Sequence, residues 1–242
     1  MTDLRIAHLY PDLMSIYGDR GNVLALTQRA RWRDIAVEVR AYTAGMSFDP
    51  EWPDLFFFGG GQDQGQDIVG ADLAGANGQA VRRAIDTGTA AFLVCGGYQL
   101  FGREYVPETG PAIPGVGALD VHTKAGKKRF VGNLVAETPE GQLVGFENHS
   151  GRTYLGSKAV PLGAVVVGHG NNGEDRTEGA IQGKIIGTYS HGSCLPKNPW
   201  LADKLLTWAL ERRHGSISLQ SLDDREERAA NDQAAVVARA RP

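Results

Sequence analysis

Along the first hundred positions, apolar residues fall in short dense runs separated by longer mixed stretches. Residues 4–9, 37–42, 55–58 and 90–94 form such runs. Each reads as a strand, and the last two are apolar at every position, as expected of strands buried on both faces. Between the first two, Val23, Leu26 and Ala30 recur at helical spacing. They predict a helix capped by Asn22 and running to about Arg33. A second helix is predicted over residues 73–86, stopped by Gly88. Strands alternating with helices predict a mostly parallel central sheet with helices on both faces. In such sheets ligands sit at the carboxyl ends of the strands.

Beyond about residue 105 the pattern shifts to glycine, proline and short strand-like segments. Residues 133–137 and 143–147 flank Thr138-Pro139-Glu140-Gly141, a type I turn with proline second and glycine fourth. Residues 164–167 and 184–189 read as further strands. Asn198 caps a helix with Pro199 at its first position, Leu201, Leu205 and Trp208 on one face, and Gly215 at its end. Residues 216–242 are polar and alanine-rich. The organisation expected is one domain over 1–215 with a tail or appended helix over 216–242.

Composition narrows the function class. The chain has 242 residues, a net charge of −3 and two cysteines. That charge is too mild to suggest a nucleic-acid partner, and two cysteines imply no disulfide framework. No apolar run is long enough to cross a membrane, and no signal peptide is evident. A cytoplasmic setting is expected.

The chemistry concentrates where the run 90–94 meets Cys95-Gly96-Gly97-Tyr98-Gln99. Strand, sharp turn and helix make a nucleophile elbow, which would project Cys95 at the strand's carboxyl end. The following helix N-terminus favours a thiolate. The alternative is that Cys95 is a small buried hydrophobe. His191 leaves the end of another strand and is the candidate general base. His149 is its rival, with a substrate or structural contact as its other reading. Cys194 has no elbow and reads as structural. Gly59-Gly60-Gly61 follows an apolar strand, and backbone N–H groups from this loop and from Gly96 would make an oxyanion hole.

Other motifs fall away. Gly168-His169-Gly170-Asn171-Asn172-Gly173 matches GxGxxG, but polar turn residues follow where a dinucleotide fingerprint needs a helix. Gly179 to Lys184 is one residue short of a P-loop. No cluster has metal-ligand spacing, so no cofactor is expected. Lys124, Lys127, Lys128 and Arg129 form a basic loop. It is either a solvated face or the source of a carboxylate-binding side chain, for which an arginine fork suits best.

Together Tyr17-Gly18-Asp19-Arg20-Gly21-Asn22, Phe58-Gly59-Gly60-Gly61-Gln62-Asp63, Cys95-Gly96-Gly97-Tyr98-Gln99, Phe146-Glu147-Asn148-His149, Gly170-Asn171-Asn172-Gly173 and Tyr189-Ser190-His191-Gly192 resemble the class I (triad-type) glutamine amidotransferases. Within these they resemble the cobyric-acid-synthase-like branch, and the YGDRGN and GNNG segments point to its GatD-like members. The resemblance implies a flavodoxin-like α/β fold and hydrolysis of L-glutamine, with Cys95 attacking the side-chain amide and His191 moving protons. It implies an oxyanion hole at Gly60 and Gly96, and a substrate-binding set of Arg129, Gln99, Asn148 and His149. It further implies a heterodimer with a MurT-like Mur ligase that uses the ammonia to amidate the D-glutamate of lipid II to D-isoglutamine. Many triad enzymes carry an acid two residues after the histidine, where this chain has Ser193. The resemblance therefore implies that the partner supplies the acid and that this chain alone is a weak glutaminase. The first internal candidates are Glu147 and Glu178. A stand-alone cysteine hydrolase of related α/β fold and an inactive binding module are the rival classes.

Overall fold

The computed structural model describes residues 3–16 and 18–240, except the side chain of Asp63. The first part alternates: β1 (Asp3–Leu9), α1 (Arg20–Arg31), β2 (Ala36–Tyr42), β3 (Leu55–Phe58), α2 (Asp63–Leu73), α3 (Ala76–Asp86), β4 (Ala90–Val94) and α4 (Gly96–Phe101). There follow β5 (Glu104–Val106), β6 (Ile113–Pro114), the long hairpin β7 (Val121–Thr138) and β8 (Gly141–Leu155), then β9 (Gly163–Val167), β10 (Thr177–Glu178), β11 (Ala180–Gln182) and β12 (Ile185–Thr188). Three helices close the chain: α5 (Cys194–Lys197), α6 (Pro199–His214) and α7 (Arg225–Ala240).

The first sheet has the order β11-β12-β4-β3-β1-β2. From β2 to β12 every pairing is parallel, and only β11 at the edge runs antiparallel. Counted by appearance, its parallel strands lie in the order 2-1-3-4-5, the flavodoxin-like arrangement with its switch point between β1 and β3. Every residue of β3 and β4 is buried, so both faces of the sheet centre are covered, as their unbroken apolar runs predicted. The expected fold class is the one observed.

A second sheet, β10-β9-β7-β5-β6 with β8 paired to β7, holds most of the middle of the chain. Its hairpin is far longer than the two short strands that hydropathy predicts. The reason is that the buried face of β8 is largely polar, carrying Glu147, His149 and Thr153. Residues 124–129, expected as a basic loop, lie within β7, where the ladder with β8 is interrupted between Ala125 and Phe130.

Three helices depart from expectation. α1 begins at Arg20 rather than after Asn22, whose buried Oδ1 instead accepts the Leu195 N–H at 2.9 Å. α2 was not foreseen, because its sequence DQGQDIVGADL carries two glycines and little helix propensity. α6 starts at Pro199 as predicted, but the Asn198 side chain does not cap it. It bridges Val144 of β8 and Cys194, and Asn231 of α7 joins it. The C-terminal segment forms α7, tied by Asn231 Nδ2 to the Gln142 and Lys197 carbonyls. Just ahead of it, Asp224 shares the buried Arg29 guanidinium of α1 with Asp203 of α6.

Glu178 braces the end of β12. Its Oε1 accepts the Thr188 hydroxyl at 2.5 Å and the Tyr189 N–H at 2.9 Å. Burial pushes its carboxyl up from 4.5 to about 7, against the pull of those two hydrogen bonds. A folded-state value raised above the unfolded one contributes stability below pH 4.5 that is lost as pH rises through 7. The shift is worth about 3 kcal/mol. Buried His8, lowered from 6.5 to about 4, acts in the opposite sense, so the test is the difference: the stability advantage of wild type over Glu178→Gln should shrink between pH 4.5 and 7. An advantage that stays constant across this range would show that Glu178 is not the group responsible.

Candidate active site

Four loops at the carboxyl ends of the parallel strands converge. The segment after β1 brings Asp19, that after β3 brings Gly60, that after β4 brings Cys95 and that after β12 brings His191. Cys95 has φ 50° and ψ −105°, a conformation that side chains rarely adopt. Its neighbours make this tight turn possible. A Cβ on Gly97 would lie 2.5 Å from the Phe58 carbonyl oxygen, and one on Gly96 2.5 Å from Gln66 Nε2. Cys95 is 7% exposed, so the sulfur sits at the bottom of the elbow rather than on open surface. Gly96 N–H, in the first turn of α4, has no acceptor within the helix.

His191 is fully buried and lies beside the Cys95 side chain. Its Nδ1 lies 3.2 Å from Asp19 Oδ1. Burial alone would lower its pKa. The charge on Cys95 and the bond to Asp19 prevail and raise it to about 10. A ring biased in this way towards its charged form is the neighbour that a nucleophilic thiolate requires. Gly60 sits among the three groups: a Cβ there would meet His191 Cε1 at 2.7 Å, Cys95 Cβ at 3.2 Å and Asp19 Oδ2 at 3.4 Å. Thiol, imidazole and carboxyl thus stand in a row, an arrangement suited to covalent acyl transfer. Among the described residues no cluster could hold a metal ion.

Residues 5–199 match the CobB/CobQ-like glutamine amidotransferase domain. The chain belongs to that family. It is 39% identical over 230 residues to the lipid II isoglutaminyl synthase (glutamine-hydrolyzing) subunit GatD of Staphylococcus aureus, covering 94% of this chain and 93% of that protein. It is 39% identical over 225 residues to the subunit of the same name from Streptococcus pneumoniae, covering 91% and 86%. A chain in the structure of PurLQS from Thermotoga maritima shares the fold at 13% identity, with a TM-score of 0.55 and coverage of 87% and 96%.

Against the site expected of an amidotransferase, the structure brings Cys95, His191, Gly60 and Gly96 together. Three features add to what was expected. First, an acid does stand beside the histidine within this chain. It is Asp19, and neither Glu147 nor Glu178 takes that place. Glu147 is spent on the His169 ring and the His169 and Gly170 N–H groups, and Glu178 on β12. Second, the Gly60 N–H expected in the oxyanion hole donates to Asp19 Oδ2 at 2.7 Å. An N–H has one proton to give, so in this arrangement it is occupied.

Third, Gln99 and His149, expected at the substrate, both have partners within the protein. The Gln99 amide accepts from Gln66 Nε2 at 2.9 Å and donates to the Tyr189 hydroxyl at 3.1 Å. His149 stacks on the Tyr189 ring at 3.6 Å, with Nδ1 on the Gly151 carbonyl and Nε2 facing Glu147. Burial holds its pKa below the usual histidine value, so it packs as a neutral ring. Asn148 lies on the opposite face of β8, half-buried, and its Oδ1 has no hydrogen-bond partner among the described residues. Arg129 is exposed in the ladder interruption of β7, next to Phe130, which pairs across to His149. Cys194 is fully buried, and burial pushes its thiol up to about 12, as suits an inert packing cysteine.

Asp19 was missed because it lies 172 residues from His191. A signal was present: its motif places one acid among glycines at the end of a strand. The structure uses nearly every described residue of that motif. Ser193, at the position where other triads keep their acid, donates its hydroxyl to the Gly18 carbonyl at 2.7 Å. A Cβ on Gly21 would lie 2.0 Å from that hydroxyl. Asn22 fastens Leu195. Tyr17 lies outside the described residues.

Gly60→Ala tests the crowding at this centre. The added methyl must displace the imidazole, and a misplacement of about 1 Å costs on the order of 100-fold in rate. We expect kcat for glutamine hydrolysis to fall on that scale with the far-UV circular dichroism unchanged. A variant of full activity would mean that the Gly60 loop is not packed against His191 in solution.

Proposed function

We propose that this chain is the glutaminase subunit of a lipid II isoglutaminyl synthase. The observation that carries the reading is the strained Cys95 elbow set beside a buried His191 whose other ring nitrogen faces Asp19. It is supported by the likeness to two GatD subunits over nearly their whole length. The Cys95 thiolate attacks the side-chain carbonyl carbon of L-glutamine. The C–N bond breaks as His191 protonates the leaving nitrogen, releasing ammonia and leaving a γ-glutamyl thioester. Water then attacks the thioester, His191 takes its proton, the C–S bond breaks, and glutamate leaves with the thiol restored. Gly96 N–H supplies a donor to the developing oxyanion.

Arg129 holds the substrate's α-carboxylate, and Asn148, with its open acceptor, faces the substrate's α-ammonium group. The ammonia passes to a MurT-like ATP-dependent ligase in a heterodimer, which amidates the D-glutamate of the lipid II stem. The amidotransferase domain spans 1–215, and α7 is its C-terminal appendage.

A diazo-ketone analogue of glutamine should place one equivalent of adduct on the Cys95 peptide. Cys95→Ala should abolish both labelling and hydrolysis. Labelling of Cys194, or hydrolysis undiminished in Cys95→Ala, would overturn the assignment. Peptide cleavage without a partner would point to the stand-alone hydrolase.

Arg129→Ala should raise KM for glutamine roughly 30- to 150-fold, the equivalent of about 2–3 kcal/mol for one charge-assisted bond. The folded state should be unaffected, since the residue is exposed. An unchanged KM would move the carboxylate contact elsewhere on β7 or β8.

A further inference from the structure

The β7–β8 ladder breaks within the basic stretch that holds Arg129. Ala125 pairs with Gly151 and Phe130 with His149, so residues 126–129 stand opposite Ser150 alone. Four residues against one cannot keep the ladder's hydrogen bonds, and carbonyls on both strands must find other donors. Those donors come from a side chain that the proposed reaction does not use, Arg152 of β8. Its Nη1 donates to the Ser150 and Gly151 carbonyls at 2.9 and 3.1 Å. Its Nη2 donates across the break to the Lys128 carbonyl at 2.5 Å. A guanidinium suits this work because its N–H donors form one rigid planar fork.

The same guanidinium also packs. Its Cζ lies 3.3 Å from the centre of the Phe130 ring, and the His169 ring stacks on Phe130 at 3.9 Å and 11°. Two groups this close to one ring must take opposite faces. His149 stands across the ring at 86°, and a Cβ on Gly173 would lie 2.7 Å from Phe130 Cζ. At the other end of the break, a Cβ on Gly126 would lie 2.9 Å from Arg152 Cζ. The bulged residues therefore wrap the guanidinium, held at Gly126, Lys128 and Phe130. Arg129 is exposed and lies between the last two.

From this geometry we propose that Arg152 is the positioning residue of Arg129. It fixes the backbone on either side and so presents the Arg129 guanidinium to the α-carboxylate of glutamine. The proposal rests on the glutaminase reading, and on the role given there to Arg129, and deepens both. Arg152 does not itself take the carboxylate, since its donors serve main-chain carbonyls and one of its faces lies on Phe130. A long exposed side chain on a loose backbone must order both when it binds, which costs entropy. Arg152 removes the backbone share of that cost in advance.

The test is a double-mutant cycle on steady-state glutamine hydrolysis, by the full chain alone and with the purified ligase partner. Arg152→Gln removes the fork and the ring contact. We expect it to raise KM about tenfold with kcat changed less than about threefold, because binding and not the chemical step is disturbed. In an Arg129→Ala background the same substitution should change KM by less than about twofold, since nothing is left to position. An equal rise in both backgrounds would show that Arg152 acts on the substrate independently, and the proposal would be wrong. An unchanged KM in Arg152→Gln alone would overturn it too. Arg152→Lys keeps the charge without the fork and should keep most of the KM defect. Full recovery in that variant would mean that charge alone matters and that nothing is being positioned. Should Arg152→Gln not fold, Arg152→Lys carries the same cycle.

A second readout does not depend on the substrate. The bulge holds three tryptic sites, after Lys127, Lys128 and Arg129. Limited trypsin cleavage there should speed up about tenfold or more in Arg152→Gln, because a backbone released from its strut opens more often. An unchanged cleavage rate would show that Arg152 does not hold the break. If wild type hydrolyses no glutamine even with the partner, the glutaminase reading fails, and the cleavage rate still decides whether Arg152 fixes Arg129.

Discussion

The structure depends on one buried carboxylate having two partners. Asp19 is shut off from water, and an isolated ionised group in that position would be strongly unfavourable. It is tolerated because the Gly60 N–H and the His191 ring meet it from opposite sides. Those partners arrive from the ends of β3 and β12, while Asp19 follows β1. Three strand registers must therefore be right together for the charge to be satisfied. Removing one partner of such a buried pair typically costs about 3–5 kcal/mol. The arrangement thus ties three strand ends together. Ser193 fits the same logic, since its hydroxyl anchors the loop that delivers the acid.

The second sheet gives the site its roof. The Phe146 carbonyl of β8 accepts the His191 N–H at 2.8 Å, so the histidine backbone is pinned between the two sheets. A Cβ on Gly145 would lie 1.8 Å from the Ser190 hydroxyl, which is how close β8 passes to the end of β12. Two buried glutamates work on this junction. Glu147 gathers the His169–Gly170 turn, and Glu178 gathers Thr188 and Tyr189. Tyr189 then links outward through its hydroxyl to Gln99 on the elbow helix and to Thr153 on β8. These polar residues join the two sheets behind Cys95 and His191.

The parts legible in the sequence were those governed by local rules. The apolar runs gave β3 and β4 at their true bounds, because a strand buried on both faces must be apolar throughout. Cys95 was recognisable because a tight strand-to-helix turn needs glycines immediately after it. Pro199 and Gly215 marked the ends of α6 by their backbone preferences. Long-range pairings obeyed no such rule. The hairpin of β7 and β8 was underestimated because its inward residues are polar and satisfied by partners far along the chain. The internal bonds of Gln99 and His149 were not legible for the same reason: their partners lie far along the chain.

By itself the sequence determined a parallel α/β sheet, an elbow cysteine, a histidine at a second strand end and a glycine loop between them. These follow from periodicity and from the steric needs of single turns. Only the tertiary structure decided what surrounds the histidine. It set Asp19 against a ring 172 residues away, gave the Gly60 N–H an acceptor in that acid, and gave Gln99 and His149 partners within the fold. The physical reason is that a hydrogen bond between distant segments is specified by strand order and register. Those are properties of the whole sheet, and no short stretch of residues encodes them.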